Sequence, residues 1–274
     1  MKKILFLKIF LILFFISFVK AEPQKLEDVI LESKQWQVDT ILTYHTLSYL
    51  DIKGRDTNEN IFTYIFTLRY DITKNFEIFG YGSYTSDKKR VFDDHKEKFQ
   101  DSDFFNSAGF GISYNILKEG KFPGVLVSFL TNAYEKIGFA KDSEILNFKT
   151  FSLFLTSYYT IDPIVLFGQL NYKSSVNGSI GDNDFEKEPT LSFTPQIYFL
   201  VNPFSTINFG FRITHEGSTK VDNKVASPET NYFSFILGFS YELVKYLIFS
   251  IDTEYRNTNI DTKSTIISRL TFKF

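Results

Sequence analysis

Few of the side chains that carry out catalysis occur in this sequence. Cysteine is absent, and histidine occurs three times, as His45, His95 and His215. Without cysteine there is no thiolate nucleophile, no disulfide framework and no cysteine-ligated metal site. A hydrolytic or metal centre would therefore have to come from carboxylates and histidines.

Carboxylates and a histidine occur together in the segment 93–103, where Asp93, Asp94 and His95 precede Asp101 and Asp103. A water nucleophile is activated only when acid and base groups converge on one point. Here the groups share one charged, lysine-rich segment, which is typical of a solvated surface loop. No acidic spacing matches a calcium loop. We therefore expect no enzymatic activity, no cofactor and no metal.

Charged residues that alternate with large apolar residues are the stronger candidates for function. Arg or Lys facing lipid on a membrane strand costs about 2–4 kcal/mol at the bilayer midplane, so such charges should face a barrel interior. One interpretation is a charged constriction that selects solutes. The other is a cross-strand salt-bridge network that holds a barrel shut. The candidates are Arg69, Glu77, Lys173, Arg212, Asp252, Glu254, Arg256, Arg269 and Lys273.

The elements that would position these charges show a period of two residues. Apolar and polar residues alternate over 62–70, 207–214, 247–256 and 262–274. Alternation over this length predicts strands with one apolar and one polar face. Transmembrane strands need about 9–11 residues, whereas strands of soluble proteins average about 5–6. The pattern therefore favours membrane strands, as does the aromatic content of 18%.

We predict an all-β transmembrane antiparallel up-and-down barrel of about 12 strands. The connections support this class, because short turns alternate with longer polar links. Outer-membrane barrels have short turns at the periplasmic end and longer loops at the extracellular end. Pro195 predicts a bulge or local break in its strand, and the face of the first strand is ambiguous. The predicted strands are 35–49, 60–71, 75–85, 104–117, 123–133, 146–160, 163–174, 189–201, 205–216, 230–242, 246–257 and 262–274.

The N-terminus has the features of an export signal. Lys2 and Lys3 precede an apolar run of 11 residues, too short for a membrane helix, and Ala21 ends a cleavage-like site. We expect residues 1–21 to be a cleaved signal peptide, 22–34 a periplasmic lead-in and 35–274 a barrel in the bacterial outer membrane. Without the signal the chain has 26 basic and 32 acidic residues, which argues against nucleic acid as a partner.

The C-terminal strand ends on Phe274 with apolar residues at alternating positions before it. This pattern resembles the signal that the barrel-assembly machinery reads during biogenesis. The matching positions are Phe274, Phe272 and Leu270. Outer-membrane lipid and this machinery are therefore the expected partners of the outer face.

Two stretches resemble a family of outer-membrane β-barrel transporters labelled as phenol-degradation (meta-pathway) proteins. They are TLRYDITKNFEIFGYGSY (67–84) and SAGFGISYNILKEGKFPGVLVSF (107–129). The sequence departs from the family pattern at Asp71 and Ser83. The resemblance implies a barrel that passes small-molecule solutes, and it implies no catalytic residues.

Two functions follow as hypotheses. The first is a channel for passive uptake or efflux of small solutes, with apolar or aromatic compounds among the candidates. The second is a structural or adhesive barrel that acts through its extracellular loops, chiefly 86–103 and 175–188.

Overall fold

The computed structural model describes residues 34–50, 55–93, 96–135, 150–175, 178–180, 183–258 and 261–274. The predicted signal peptide, and the lead-in up to residue 33, lie outside these residues and stay predictions. Among the described residues, no helix is long and apolar enough to cross a membrane.

Twelve strands form one closed antiparallel barrel, which confirms the predicted fold class. Each strand pairs with its neighbours along the chain, and the first strand pairs with the last. The barrel strands are β1 (Trp36–Leu50), β2 (Asp56–Thr73), β3 (Phe76–Asp93), β4 (Lys96–Leu117), β5 (Gly124–Glu135), β6 (Thr150–Ile161), β7 (Ile164–Ser175), β10 (Thr190–Asn202), β11 (Ser205–Glu216), β14 (Thr230–Val244), β15 (Leu247–Asn257) and β16 (Asp261–Lys273).

The two ends of the barrel differ in their connections. At one end, which we call the turn end, consecutive strands are joined by two to six residues, and β1 begins where β16 ends. At the other end, the loop end, the links after β5, β7 and β11 are long or contain extra strands, whereas those after β1, β3 and β15 have two to five residues. The predicted short turns are confirmed, and the predicted long links are found in three of the six places.

The region predicted as a polar loop at 86–103 is instead the tip of a long hairpin. Strands β3 and β4 have 18 and 22 residues and remain paired from Phe76–Tyr114 to Asp93–Lys96. The prediction of a loop was wrong because a strand that extends beyond lipid has water on both faces. It needs no apolar alternation, although its backbone pairing continues.

A separate four-stranded sheet lies at the loop end. It consists of β8 (Gly178–Ile180), β9 (Asn183–Lys187), β12 (Thr219–Val221) and β13 (Lys224–Ser227), in the order β13-β12-β9-β8. Two hairpins from different links are joined where β9 pairs with β12. Asp222 and Asn223 both have positive φ, 49° and 61°, as a two-residue type I′ hairpin turn requires. The links predicted as loops at 175–188 and 217–229 therefore contain strands.

Pro195 produces no bulge. The β10–β11 register is the same on both sides of it, from Phe193–Ile213 to Gln196–Gly210. The shift in this pair of strands lies instead between Leu200 and Asn202. A proline inside a paired strand removes one donor, and the loss is local enough that the register is preserved.

The outer face of the barrel is apolar and the inner face is mainly polar. Side chains such as Phe66, Leu170, Phe209 and Leu237 are exposed on the outer face, where hydrocarbon would cover them. Thr and Ser fill much of the buried inner face, for example Thr67, Ser152 and Thr194. The alternation seen in the sequence therefore separates the wall into two faces, as predicted.

Candidate functional site

The lumen holds all nine charged residues that the sequence singled out. Each occupies an inward position by register, opposite the apolar outer face. Their surroundings differ, however, and these differences bear on the two interpretations of the charges.

The first group of lumen residues closes the seam between β1 and β16. Asp39 Oδ2 accepts from Arg69 Nε at 2.8 Å, and its Oδ1 accepts from Thr271 Oγ1 at 2.7 Å. Gln37 Nε2 also donates to Asp39 at 2.9 Å. Arg69 Nη1 reaches Glu77 Oε1 at 3.0 Å. One carboxylate thus joins the first, second and last strands.

The second group bridges β11 and β15 above β14. Arg212 Nη1 lies 2.7 Å from Glu254 Oε2, and Asn208 Nδ2 donates to Asp252 Oδ1 at 3.1 Å. Two of the β14 residues beneath these bridges are small, since Ser234 pairs with Arg212 and Gly238 pairs with Asn208, while Ile236, which pairs with Glu254, is buried. A Cβ at Gly238 would lie 1.9 Å from Asp252 Oδ1. Small residues on β14 therefore allow the bridges to lie flat against the wall.

The remaining paired charges lie nearer the loop end. Arg256 forms an ion pair with Asp261, and its guanidinium lies 4.3 Å from the centroid of the Tyr232 ring. Lys173 Nζ is 3.9 Å from Glu135 Oε1, a separation at which the attraction is weak. All of these contacts join neighbouring or next-neighbouring strands rather than opposite sides of the barrel.

Arg269 and Lys273 differ from each other although both lie on β16. Lys273 is buried at 9% exposure and pairs in register with Gln37. Arg269 is exposed and has no hydrogen bond or ion pair with any residue that the structure describes. The guanidinium of Arg269 therefore faces the barrel interior.

Inward glycines are covered by side chains from adjacent strands. The Tyr158 ring lies on Gly124, where a Cβ would come within 2.4 Å of the ring, and the Phe79 ring lies on Gly111, where the distance would be 2.3 Å. Tyr81 lies on Gly109 and donates its hydroxyl to Asn132. A ring that packs over a glycine narrows the lumen less than a ring that packs over a larger inward side chain.

Sequence reasoning missed Asp39 and the inward aromatic rings. Ile41 and Leu47 point inward beside Asp39 and His45, and this mixture hid the alternation of β1. In β3 both faces carry aromatic residues, so the sequence pattern does not show which face points into the barrel. The glycines opposite Phe79 and Tyr81 on β4 were the available signal, since a glycine often faces a ring across the strand pair.

The predicted terminal residues Phe274, Phe272 and Leu270 lie on or follow the outer face of β16. The rings of Phe272 and Phe274 stack with centroids 5.6 Å apart. Phe274 exchanges two backbone hydrogen bonds of 2.9 Å with Trp36. The C-terminal residue is thus part of the closed ladder.

The described histidines lie apart from each other and contact neutral side chains. His45 contacts Thr265 and His215 contacts Asn231, and no group of three or more metal-ligating side chains is found within the described ranges. Asp94 and His95 lie outside those ranges.

Comparison with known proteins gives a fold and no family. No family model matches the sequence, and neither does any curated protein. The resemblance to phenol-degradation proteins therefore stays a prediction.

Solved structures match over most of the chain. The COG4313 outer membrane channel from Pseudomonas putida F1 has a TM-score of 0.69 at 8% identity, covering 93% of this chain and 100% of that one. The translocator domain of the autotransporter NalP from Neisseria meningitidis has a TM-score of 0.57 at 10% identity, covering 90% and 91%. The transport unit of AIDA-I from Escherichia coli has 0.56 at 12% identity, covering 94% and 93%. By fold, the chain is an outer-membrane β-barrel.

Proposed function

We propose that the chain is a bacterial outer-membrane channel for passive passage of small solutes, apolar or aromatic compounds among them, with no catalytic step. The observation that carries this proposal is that the lumen charges pair along the wall. Bridges such as Arg212–Glu254 join strands two apart and cross β14 along the wall. A plug of salt bridges would instead cross the lumen.

Solvent access along the inner face supports the same proposal. The side chains of Arg212 and Lys173 are 37% and 42% exposed although both face inward. Strand spacing and the usual strand tilt give a barrel of this size a backbone radius of about 12 Å. Among the described residues, the four strands outside the barrel wall pair only with one another. The similarity in fold to a solved outer membrane channel agrees with this proposal.

Conductance of the purified, folded protein in planar bilayers tests the proposal. We expect ohmic channels, and we expect Gly124→Ala to conduct less than the parent, because the added Cβ displaces the Tyr158 ring toward the lumen. Gly168→Ala is the matched control. Gly168 lies on the outer face, where the nearest atom to an added Cβ is 3.9 Å away.

Absence of conductance from folded protein would overturn the channel proposal. Equal conductance of the two alanine variants would contradict the assignment of the Tyr158 ring to the lumen. Heat-modifiable migration in SDS gels establishes folding in each case.

An adhesive barrel is the second candidate, favoured by the four-stranded sheet at the loop end. Val225 in its edge strand β13 is 61% exposed, and an unpaired edge can accept a partner strand. Replacing residues 219–227 with a short turn would then abolish attachment to envelope partners and leave conductance unchanged. Attachment that is unchanged by this replacement would contradict the adhesive role.

A further inference from the structure

The lumen wall near the turn end has two chemically different halves. Along the six consecutive strands β3 to β7 and β10, inward aromatic rings occur within five residues of that end on four: β3, β6, β7 and β10. Four of these rings are partly exposed to the lumen: Phe79, Tyr81, Phe167 and Tyr198. The glycines of β4 beneath Phe79 and Tyr81 allow both rings to spread across that half.

The other six strands differ at the same level, because β11, β15, β16, β1 and β2 carry polar or charged side chains there and β14 carries a glycine. No aromatic residue faces inward there within five residues of the turn end. The residues at this level are Asn208, Gly238, Asp252, Arg269, Asp39 and Arg69. The division therefore follows the order of the strands around the barrel.

Arg269 is the cation of the charged half whose donors remain available. The register places Asp39 and Asp252 diagonally next to it, two residues along the neighbouring strands. Asp39 already binds Arg69, Thr271 and Gln37, and Asp252 accepts from Asn208. Neither carboxylate forms an ion pair with Arg269, which has no other such partner in the described part of the chain.

Tyr198 brings the aromatic half close to this cation. Its ring packs edge-on against Phe167, with centroids 5.8 Å apart, and its hydroxyl donates to Gln196 at 2.6 Å. In register, Tyr198 pairs with Asn208, Asn208 with Gly238, Gly238 with Asp252, and Asp252 with Ile267, which is two residues from Arg269. The rings of β7 and β10 and the guanidinium of β16 therefore border one region of the lumen.

We propose that this region binds small aromatic carboxylates, with the ring against Phe167 and Tyr198 and the carboxylate on Arg269. The proposal rests on the proposed channel function and names its solute class. A guanidinium with free donors pairs with a carboxylate through two parallel hydrogen bonds. Aromatic side chains pack against a solute ring in offset or edge-on geometry. The nearby Asp252 weakens the anion site, and weak binding allows a solute to leave a channel as well as to enter it.

Block of single-channel KCl current by added solutes tests this assignment. Benzoate carries both ring and charge, benzyl alcohol lacks the charge, and acetate lacks the ring. We expect benzoate to reduce the current in a saturable manner at about tenfold lower concentration than either comparison solute. Equal potency of benzoate and acetate, or of benzoate and benzyl alcohol, would overturn the proposal.

Variants then assign the site. Arg269→Gln should raise the half-blocking benzoate concentration about tenfold, as loss of a charge-assisted pair predicts, and Arg269→Lys should raise it less. Asp252→Asn should lower it, because a repelling charge is removed. Lys121→Gln, which removes an exposed lysine from the β4–β5 turn, should leave it unchanged.

The two proposals fail in distinguishable ways. A folded protein that conducts no current contradicts the channel. A protein that conducts, but whose block by benzoate is unchanged in Arg269→Gln, contradicts only the carboxylate site. If Arg269→Gln does not fold, the opposite shifts expected for Arg269→Lys and Asp252→Asn decide the question.

Discussion

Asp39 accepts hydrogen bonds from β1, β2 and β16, and its side chain is 4% exposed. Buried charges are tolerated when they are paired and hydrogen-bonded. Arg69 satisfies this condition on both sides, because it also reaches Glu77. Asp39 therefore links β1 to β16, the pair of strands that closes the barrel.

Asp39→Asn should destabilise the barrel. The substitution keeps the size of the side chain but removes the charge that holds Arg69, and a hydrogen bond to a charged group contributes about 1.5–3 kcal/mol. We expect the free energy of unfolding to fall by about 2 kcal/mol, measured by urea titration of the heat-modifiable band. Asp56→Asn is the control, since Asp56 is exposed at the loop end. Equal stability of the two variants would contradict the role of Asp39.

The residues that sequence reasoning placed correctly are those on strictly alternating strands. Arg269, Asp252 and Arg212 lie on strands in which nearly every second residue is apolar. Because the apolar residues must face lipid, the charged residues between them must face inward. Asp39 could not be placed in this way. Inside a water-accessible lumen Ile41 is tolerated beside Asp39, so alternation on β1 is incomplete.

At the scale of elements, two links of the loop end, β7–β10 and β11–β14, each contain a hairpin, and the two hairpins pair into one sheet. Strand β9 pairs with β12, and ion pairs fix the junction with the barrel. Lys220 Nζ lies 3.0 Å from Glu188 Oε1, and the Ser218 amide donates to Glu188 Oε2 at 3.0 Å. These contacts couple the β7–β10 link to the β11–β14 link.

These hairpins could not be predicted because neither face of the sheet has to be apolar. Short strands with water on both sides carry no periodic signal. The short turns were predictable, since apolar alternation resumes within a few residues on both sides of each. Sequence therefore determined the wall of the barrel better than its loop end.

The Glu188 junction should depend on pH. Hydrogen bonds from Ser218 and Lys220 lower the pKa of Glu188 from 4.5 to about 2. A carboxyl whose pKa falls on folding stabilises the fold above its unfolded pKa and loses that contribution as the pH falls toward its folded pKa. Protection of the β12 amides, normalised to intrinsic exchange rates, should therefore decrease between about pH 4.5 and 2.

Glu188→Gln should show reduced protection of β12 already at neutral pH, with a smaller further decrease on acidification. The measurement is hydrogen–deuterium exchange of the peptides that cover 183–187 and 219–221. Glu229→Gln is the matched control, because Glu229 is exposed on the β11–β14 link that carries β12 and pairs with no described residue. Protection of β12 that is independent of both variant and pH would contradict the junction.

At the scale of the whole molecule, closure and the divided lumen depend on one register. The β1–β16 pairing sets Arg269 opposite Ile41 and two residues from Asp39. A shift of β16 by one residue would turn each of its inward side chains outward. The side chains that β16 contributes to the lumen therefore depend on its register with β1.

Engineered disulfides test this register directly, because the chain contains no cysteine. Ser48 pairs with Thr262 and Leu47 with Lys263. Adjacent antiparallel pairs alternate between hydrogen-bonded and non-hydrogen-bonded geometry, with Cα separations of about 5.5 and 4.5 Å, and both lie within the range that a disulfide accepts. We expect Ser48→Cys/Thr262→Cys, Leu47→Cys/Lys263→Cys or both to oxidise.

The displaced combination Ser48→Cys/Ser264→Cys is the control, because a diagonal pair is separated by about 7–8 Å, beyond the usual disulfide range. Cross-linking of the first and last strands closes most of the chain into a loop, so the oxidised, heat-denatured protein should migrate faster in non-reducing gels and return to its normal position on reduction. Efficient oxidation of the displaced pair, with none in either matched pair, would mean that β16 meets β1 two residues away. Arg269 would then lie opposite a different residue of β1, and its separation from Asp39 would change as well.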